Sequence, residues 1–165
     1  MARELVAQSL LYLVIVLVGI NIGGNVYEML VLDPLWSASP PDSVRNFFKD
    51  TPFARAMQKF WLSKLAKYSL FVLVGAVIAA WSVPGRRGWL AAAVLATAVN
   101  YALTILYIFP RKKFLFRARG EVTADAIQRA TQQFLAANRV RRFFKLVEFL
   151  CLVHTLAVLP ARPNF

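Results

Sequence analysis

Four stretches of this chain carry no Asp, Glu, Lys or Arg: residues 5–27, 68–85, 88–110 and 149–161. Runs of that length constrain the fold more than any other feature. A helix rises 1.5 Å per residue, so the first three are long enough to cross a hydrocarbon core of about 30 Å. The fourth becomes long enough when it takes in residues 143–147, with Lys145 extending its ammonium toward the headgroups. Lipid cannot satisfy backbone N–H and C=O groups, so such segments must be helical. The reading is therefore all-α, an integral membrane four-helix bundle forming a single membrane domain over 1–165. Spans fall at about 8–32, 64–83, 88–110 and 143–160, and cytoplasmic segments at 33–63 and 111–142. Composition agrees: 59% of residues are apolar, 17% are charged and the mean hydropathy is +0.54. The first span reads as a retained helix rather than a cleaved signal, because its apolar run is too long and no small-x-small site follows it.

The net charge of +12 is a matter of placement. Six Lys and Arg lie between Arg45 and Lys67 and ten between Arg111 and Lys145; the other four are Arg3, Arg86, Arg87 and Arg162. With four spans the two rich segments share one side, and the positive-inside rule makes that side cytoplasmic. Both termini and the 84–88 turn then face out, an N-out/C-out topology suited to a bacterial inner (plasma) membrane. Anionic lipid headgroups at the cytoplasmic face are the expected partners of this basic crown. No recognition motif accompanies it, so no nucleic acid is expected.

Helical periodicity continues outside the spans. Thr51-Pro52 offers an N-cap and an N1 proline, and Phe53, Met57, Phe60, Trp61 and Leu65 mark one face leading into the second span. Trp61, Lys64, Lys67 and Tyr68 form an interfacial belt. After the breaker-rich LDPLWSASPPDS, Val44, Phe47 and Phe48 recur at helical spacing. Gly120 is a stop signal, Thr123 can cap a new helix, and its face runs unbroken into the fourth span. The short VPGRRG turn makes spans two and three antiparallel neighbours.

Polar residues inside the spans are stacked rather than scattered. Asn21, Gly24, Asn25 and Glu28 occupy i, i+3, i+4 and i+7, one helix face, while Gly19 and Gly23 form a small-xxx-small pair beside it. Thr97, Asn100, Thr104, Tyr107 and Arg111 make a second stripe, with Tyr101 beside it. Arg141, Lys145, Glu148, Cys151 and Thr155 make a third, with His154 one position off. All three sit toward the cytoplasmic half. Intramembrane charge is costly and normally faces the bundle interior. Glu28, Glu148 and His154 are therefore expected inward, with Arg111 and Arg141 as counter-ions at the mouth of a cavity with polar walls and an apolar floor.

Plainer roles compete for each of these residues. Span asparagines often serve as interhelical glue, and Lys145 and Glu148 have the spacing of an ion pair. Cys151, the single cysteine, suits a buried hydrophobe, and one histidine cannot build a multi-histidine metal site. No phosphate-binding loop, nucleophile elbow, HExxH or paired haem histidines occur. No metal and no cofactor is expected.

The layout resembles the anthrone-oxygenase-like family of small four-span membrane proteins. The similarity rests on Phe134-x-x-x-Asn138-x-x-Arg141 ahead of the fourth span and on Pro110 closing the third. It departs from the family's pattern just after that proline, where Arg111-Lys112-Lys113 stands in place of an asparagine. The resemblance implies oxygenation of an electron-rich polycyclic phenol or quinone precursor without metal or flavin. Such chemistry needs a base and a dry pocket. Glu28 and His154 are the candidates for the catalytic base. Asn21, Asn25, Asn100, Tyr107, Arg111, Arg141 and Glu148 are the candidates for binding a lipophilic, aromatic or quinone-like small molecule. Two alternatives stay open: an accessory subunit whose stripes contact another membrane protein or a second copy, and a small proton-coupled transporter.

Overall fold

The computed structural model describes residues 2–47, 65–117 and 122–158. The expected helix start at Thr51-Pro52, the face of Phe53, Met57, Phe60 and Trp61, Phe48, Lys64, Gly120 and the last residues of the fourth span lie outside the described residues. So do the side chains of Leu65 and Lys67.

Among the described residues every regular element is helical: α1 (Ala2–Tyr27), α2 (Asp33–Ser37), α3 (Asp42–Phe47), α4 (Leu65–Ala80), α5 (Arg87–Ala102), α6 (Phe109–Arg117) and α7 (Ala124–Ala157). A π-helical segment at Glu28–Leu32 joins α1 to α2, and another at Leu103–Ile108 joins α5 to α6. Thr123 caps α7 as its sequence suggests, its hydroxyl accepting from the Ala126 N–H at 3.4 Å. With 34 residues α7 is about 51 Å long.

Two expected helix ends move outward. The LDPL segment and Pro110 read as terminators, yet the chain stays helical through Pro34 to Ser37 and through Pro110 to Arg117. Each proline stands two residues beyond a π segment. Proline donates no N–H, and its ring crowds the carbonyl four residues back. Just before each proline the ladder widens: the Asp33 N–H donates to the Glu28 carbonyl and the Phe109 N–H to the Thr104 carbonyl, five residues apart in both cases. The helix absorbs the proline instead of ending.

Two continuous helices, Ala2–Ser37 and Arg87–Leu115, are long and apolar enough to cross a membrane. Only 22% and 28% of their most apolar windows are buried, whereas the core helix of a soluble protein would be mostly buried. The apolar helix Tyr68–Ala80 is shorter. It stops three residues before the expected end at 83, because the residue ahead of Pro84 disfavours helix and Gly85 takes a φ of +83°. Large side chains point outward on all three, such as Leu5 at 60%, Phe71 at 71% and Leu106 at 76% exposed.

Packing groups the chain into two compact units, to both of which α1, α5 and α7 contribute. The first has described residues 2–22, 65–98 and 144–158. Its core sets Ala7, Leu11, Val14 and Val18 of α1 against Leu73, Ala76 and Ala80, Leu90 and Ala93, and Cys151 and Leu152. Small residues on three helices let the backbones approach, and Gly75 lies against Leu10. A methyl at Gly19 would meet Phe149 at 3.8 Å, but one at Gly23 would meet nothing within 4 Å, so the expected glycine pair closes only at Gly19.

The polar anchor of this unit is Arg86, which is fully buried. Its Nη1 donates to Glu4 Oε1 at 2.7 Å, and Nε and Nη2 donate to the Val158 carbonyl at 3.1 and 2.9 Å. One guanidinium thus holds the start of α1 and the end of α7 to the α4–α5 turn. Removing one member of a buried pair costs about 3–5 kcal/mol, whereas replacing both by apolar residues is far milder. Glu4→Leu should therefore lower the thermal midpoint more than the Glu4→Leu/Arg86→Leu double variant. Equal midpoints for wild type and Glu4→Leu would dismiss the anchor.

Candidate functional site

The second unit, with described residues 23–47, 99–117 and 122–143, has its own apolar core. Leu32, Trp36, Val44, Ile108, Leu115, Ile127, Phe134 and Ala137 form it, and the Trp36 and Phe134 rings meet edge to face, 5.4 Å apart. Within this unit two chain segments converge on Arg141 of a third.

Arg141 Nη2 donates to Asn25 Oδ1 at 2.9 Å and to Glu28 Oε2 at 3.1 Å. Asn100 Nδ2 donates to the Arg141 carbonyl at 3.1 Å. The next residue, Arg142, donates to Asp33 Oδ2 at 2.5 Å and lies 3.6 Å from Glu28 Oε2. Asp33 Oδ1 accepts from the Trp36 indole N–H at 3.3 Å. Asn25 and Asp33 are buried, and Glu28, Arg141 and Arg142 nearly so. Burial draws the Arg141 guanidinium down from its usual value and Glu28 opposes that shift; a guanidinium nevertheless stays protonated. Lys112 adds a further positive charge near Glu28 and Arg141. The ion pairs of Glu28 with Arg141 and Arg142 both fall on Oε2.

The π segments shape this cluster. On an α-helix Asp33 would sit about 140° around from Glu28, since five residues turn the helix by 500°. A π turn closes over five residues, bringing the two carboxylates to one side, where Arg142 reaches both. Single π turns inside α-helices recur at functional sites.

The expected site residues separate as follows. Asn25, Glu28, Asn100 and Arg141 come together. Tyr107 and Arg111 belong to the same unit but pair with each other: the Arg111 guanidinium lies 3.2 Å from the Tyr107 ring centroid, its Nη1 donates to the Tyr107 carbonyl and its Nε to Gln133 Oε1. Arg111 is therefore not the counter-ion of Glu28, because the π segment at Leu103–Ile108 breaks the regular spacing that aligned it with Asn100. Glu148 and His154 belong to the first unit. Glu148 is buried and accepts from Lys145 Nζ at 2.7 Å, the ion pair that its spacing suggests. His154 is exposed rather than inward, its ring tilted 49° against that of Trp89 with centroids 4.1 Å apart. One position from the Cys151–Thr155 face is a rotation of about 100°, enough to carry it out. Asn21 also falls in the first unit, half-buried and engaged.

Asp33 and Arg142 are the site residues that the helical stripes missed. The signal was Pro34, which announces the widened turn one residue after Asp33. Searches against family models, curated proteins and solved structures return no match.

A carboxylate and a guanidinium sharing partners should not behave additively. In a Glu28→Gln/Arg141→Leu cycle the two single losses should overlap by about 1–3 kcal/mol. Additivity within about 0.5 kcal/mol would mean that no such network operates.

Proposed function

We propose that this chain is an integral membrane protein of four spans, N-out and C-out. In this reading the Arg141 cluster lies toward the cytoplasmic face and binds a lipophilic, aromatic or quinone-like small molecule. The convergence of Asn25, Glu28 and Asn100 on Arg141 carries the reading. A buried network of charges stabilises a fold weakly or not at all compared with apolar packing, so its retention suits a binding role. The outward-facing apolar side chains of the long helices suit lipid contact.

The chemistry we assign is proton removal from an electron-rich phenolic or carbon acid, after which, as the family resemblance implies, the anion reacts with dioxygen as co-substrate, one oxygen atom turning a ring CH2 into a carbonyl and the other leaving as water. Glu28 Oε1 is the proposed base. Arg141 and Arg142 hold the opposite oxygen, fix the carboxylate plane and offer positive charge to the anion that forms. Asn25 and Asn100 position Arg141 rather than the substrate.

Glu28→Gln keeps the size of the side chain and removes its charge. It should abolish turnover or binding of a polycyclic phenol in membrane vesicles while the protein still inserts and folds; unchanged turnover would reject the assignment. Topology has a separate test. A cysteine at exposed Arg87 should be labelled by an impermeant maleimide in intact cells, and one at Lys113 only after permeabilisation. The reverse pattern would invert the orientation.

A further inference from the structure

Asn138 is fully buried in the second unit, and neither its Nδ2 nor its Oδ1 has a hydrogen-bond partner. Two turns earlier on α7, Thr131 is 2% exposed and its hydroxyl is equally unpartnered. Thr131, Phe134, Asn138 and Arg141 follow at steps of three, four and three, one face of α7 that ends in the Arg141 cluster. Leaving a buried polar group unmade costs about 1–3 kcal/mol, and an amide has a donor and an acceptor to satisfy. The buried core of the same unit, Phe134, Ala137 and Ile127 among it, is apolar. A leucine at 138 would serve packing alone better.

We propose that Asn138 is a recognition residue for the lipophilic ligand, its amide pairing with a planar ring that carries a donor and an acceptor side by side, as a ring lactam or its hydroxy tautomer does. In the lactam the Nδ2–H donates to the ligand carbonyl and Oδ1 accepts from the adjacent N–H; in the hydroxy tautomer the Nδ2–H donates to the ring nitrogen and Oδ1 accepts from the O–H. Phe134, whose ring meets Trp36, supplies aromatic surface one turn away, and Arg141 lies one turn away on the other side. Thr131, about 10 Å along the helix, is available to a second polar group on a longer ligand. This assignment rests on the proposed binding site and specifies the edge that the site reads.

Three probes separate the idea from a structural role. Carbostyril has the paired edge, N-methylcarbostyril lacks the donor and naphthalene lacks both groups. Vesicles of the wild-type protein should bind carbostyril saturably and N-methylcarbostyril at least tenfold more weakly, about the worth of one hydrogen bond (about 1.4 kcal/mol). Asn138→Leu should lose saturable carbostyril binding while its unliganded thermal midpoint equals or exceeds that of wild type, because the unmade amide is gone. A lowered midpoint in Asn138→Leu would make the residue structural, satisfied by buried water, and overturn the proposal. Equal binding of carbostyril and its N-methyl derivative to wild type would do the same without any variant. Polycyclic-phenol binding that is lost in Glu28→Gln but kept in Asn138→Leu would leave the proposed function standing and overturn this inference alone.

Discussion

The second unit depends on one guanidinium. Arg141 ties Asn25 and Glu28 to α7 through its side chain, and Asn100 to α7 through its carbonyl. Three segments far apart in sequence are held by one residue, and its charge is nearly enclosed. A buried guanidinium is tolerated only when its donors find acceptors, so Asn25 and Glu28 are conditions of its placement, while Asn100 satisfies the Arg141 backbone carbonyl instead. Arg142 extends the arrangement to Asp33 and, through that carboxylate, to Trp36 in the apolar core.

The first unit solves a similar problem with different parts. Arg86 is wholly enclosed and satisfied by Glu4 and the Val158 carbonyl, and around it the core is small and apolar. Among the described residues of that unit no side chain has the unmade buried polar atoms of the second unit, where Asn138 and Thr131 lie buried without partners. That contrast adds to the Arg141 convergence in favour of the proposed binding role for the second unit.

Helical class, the α7 cap at Thr123 and the stripe of Asn25 and Glu28 could be read from the chain because each rests on local spacing. The opposing stripe was legible as far as Asn100. Beyond it, regular spacing failed at the π segment, and Arg111 turned to Tyr107 instead of Glu28. Pro34 and Pro110 looked like helix ends because proline usually is one; two widened turns let the helices continue and bring Asp33 beside Glu28. Arg86 was hidden for another reason. A basic residue in a short turn reads as solvated, and only the fold shows Glu4 and the Val158 carbonyl waiting for it. His154 drew attention as the single histidine, but rarity does not orient a side chain, and it faces outward against Trp89.

Proline-induced widening, an enclosed arginine and orphaned amide atoms all lie in the second unit, and together they motivate the proposal of a membrane-borne ligand. Mass spectrometry of the organic extract from protein purified out of its native membrane tests that directly. The proposed function predicts an aromatic, oxygen-bearing molecule in near-stoichiometric amount, depleted when Arg141 is replaced by leucine. An extract holding only bulk phospholipid, identical for both proteins, would contradict it.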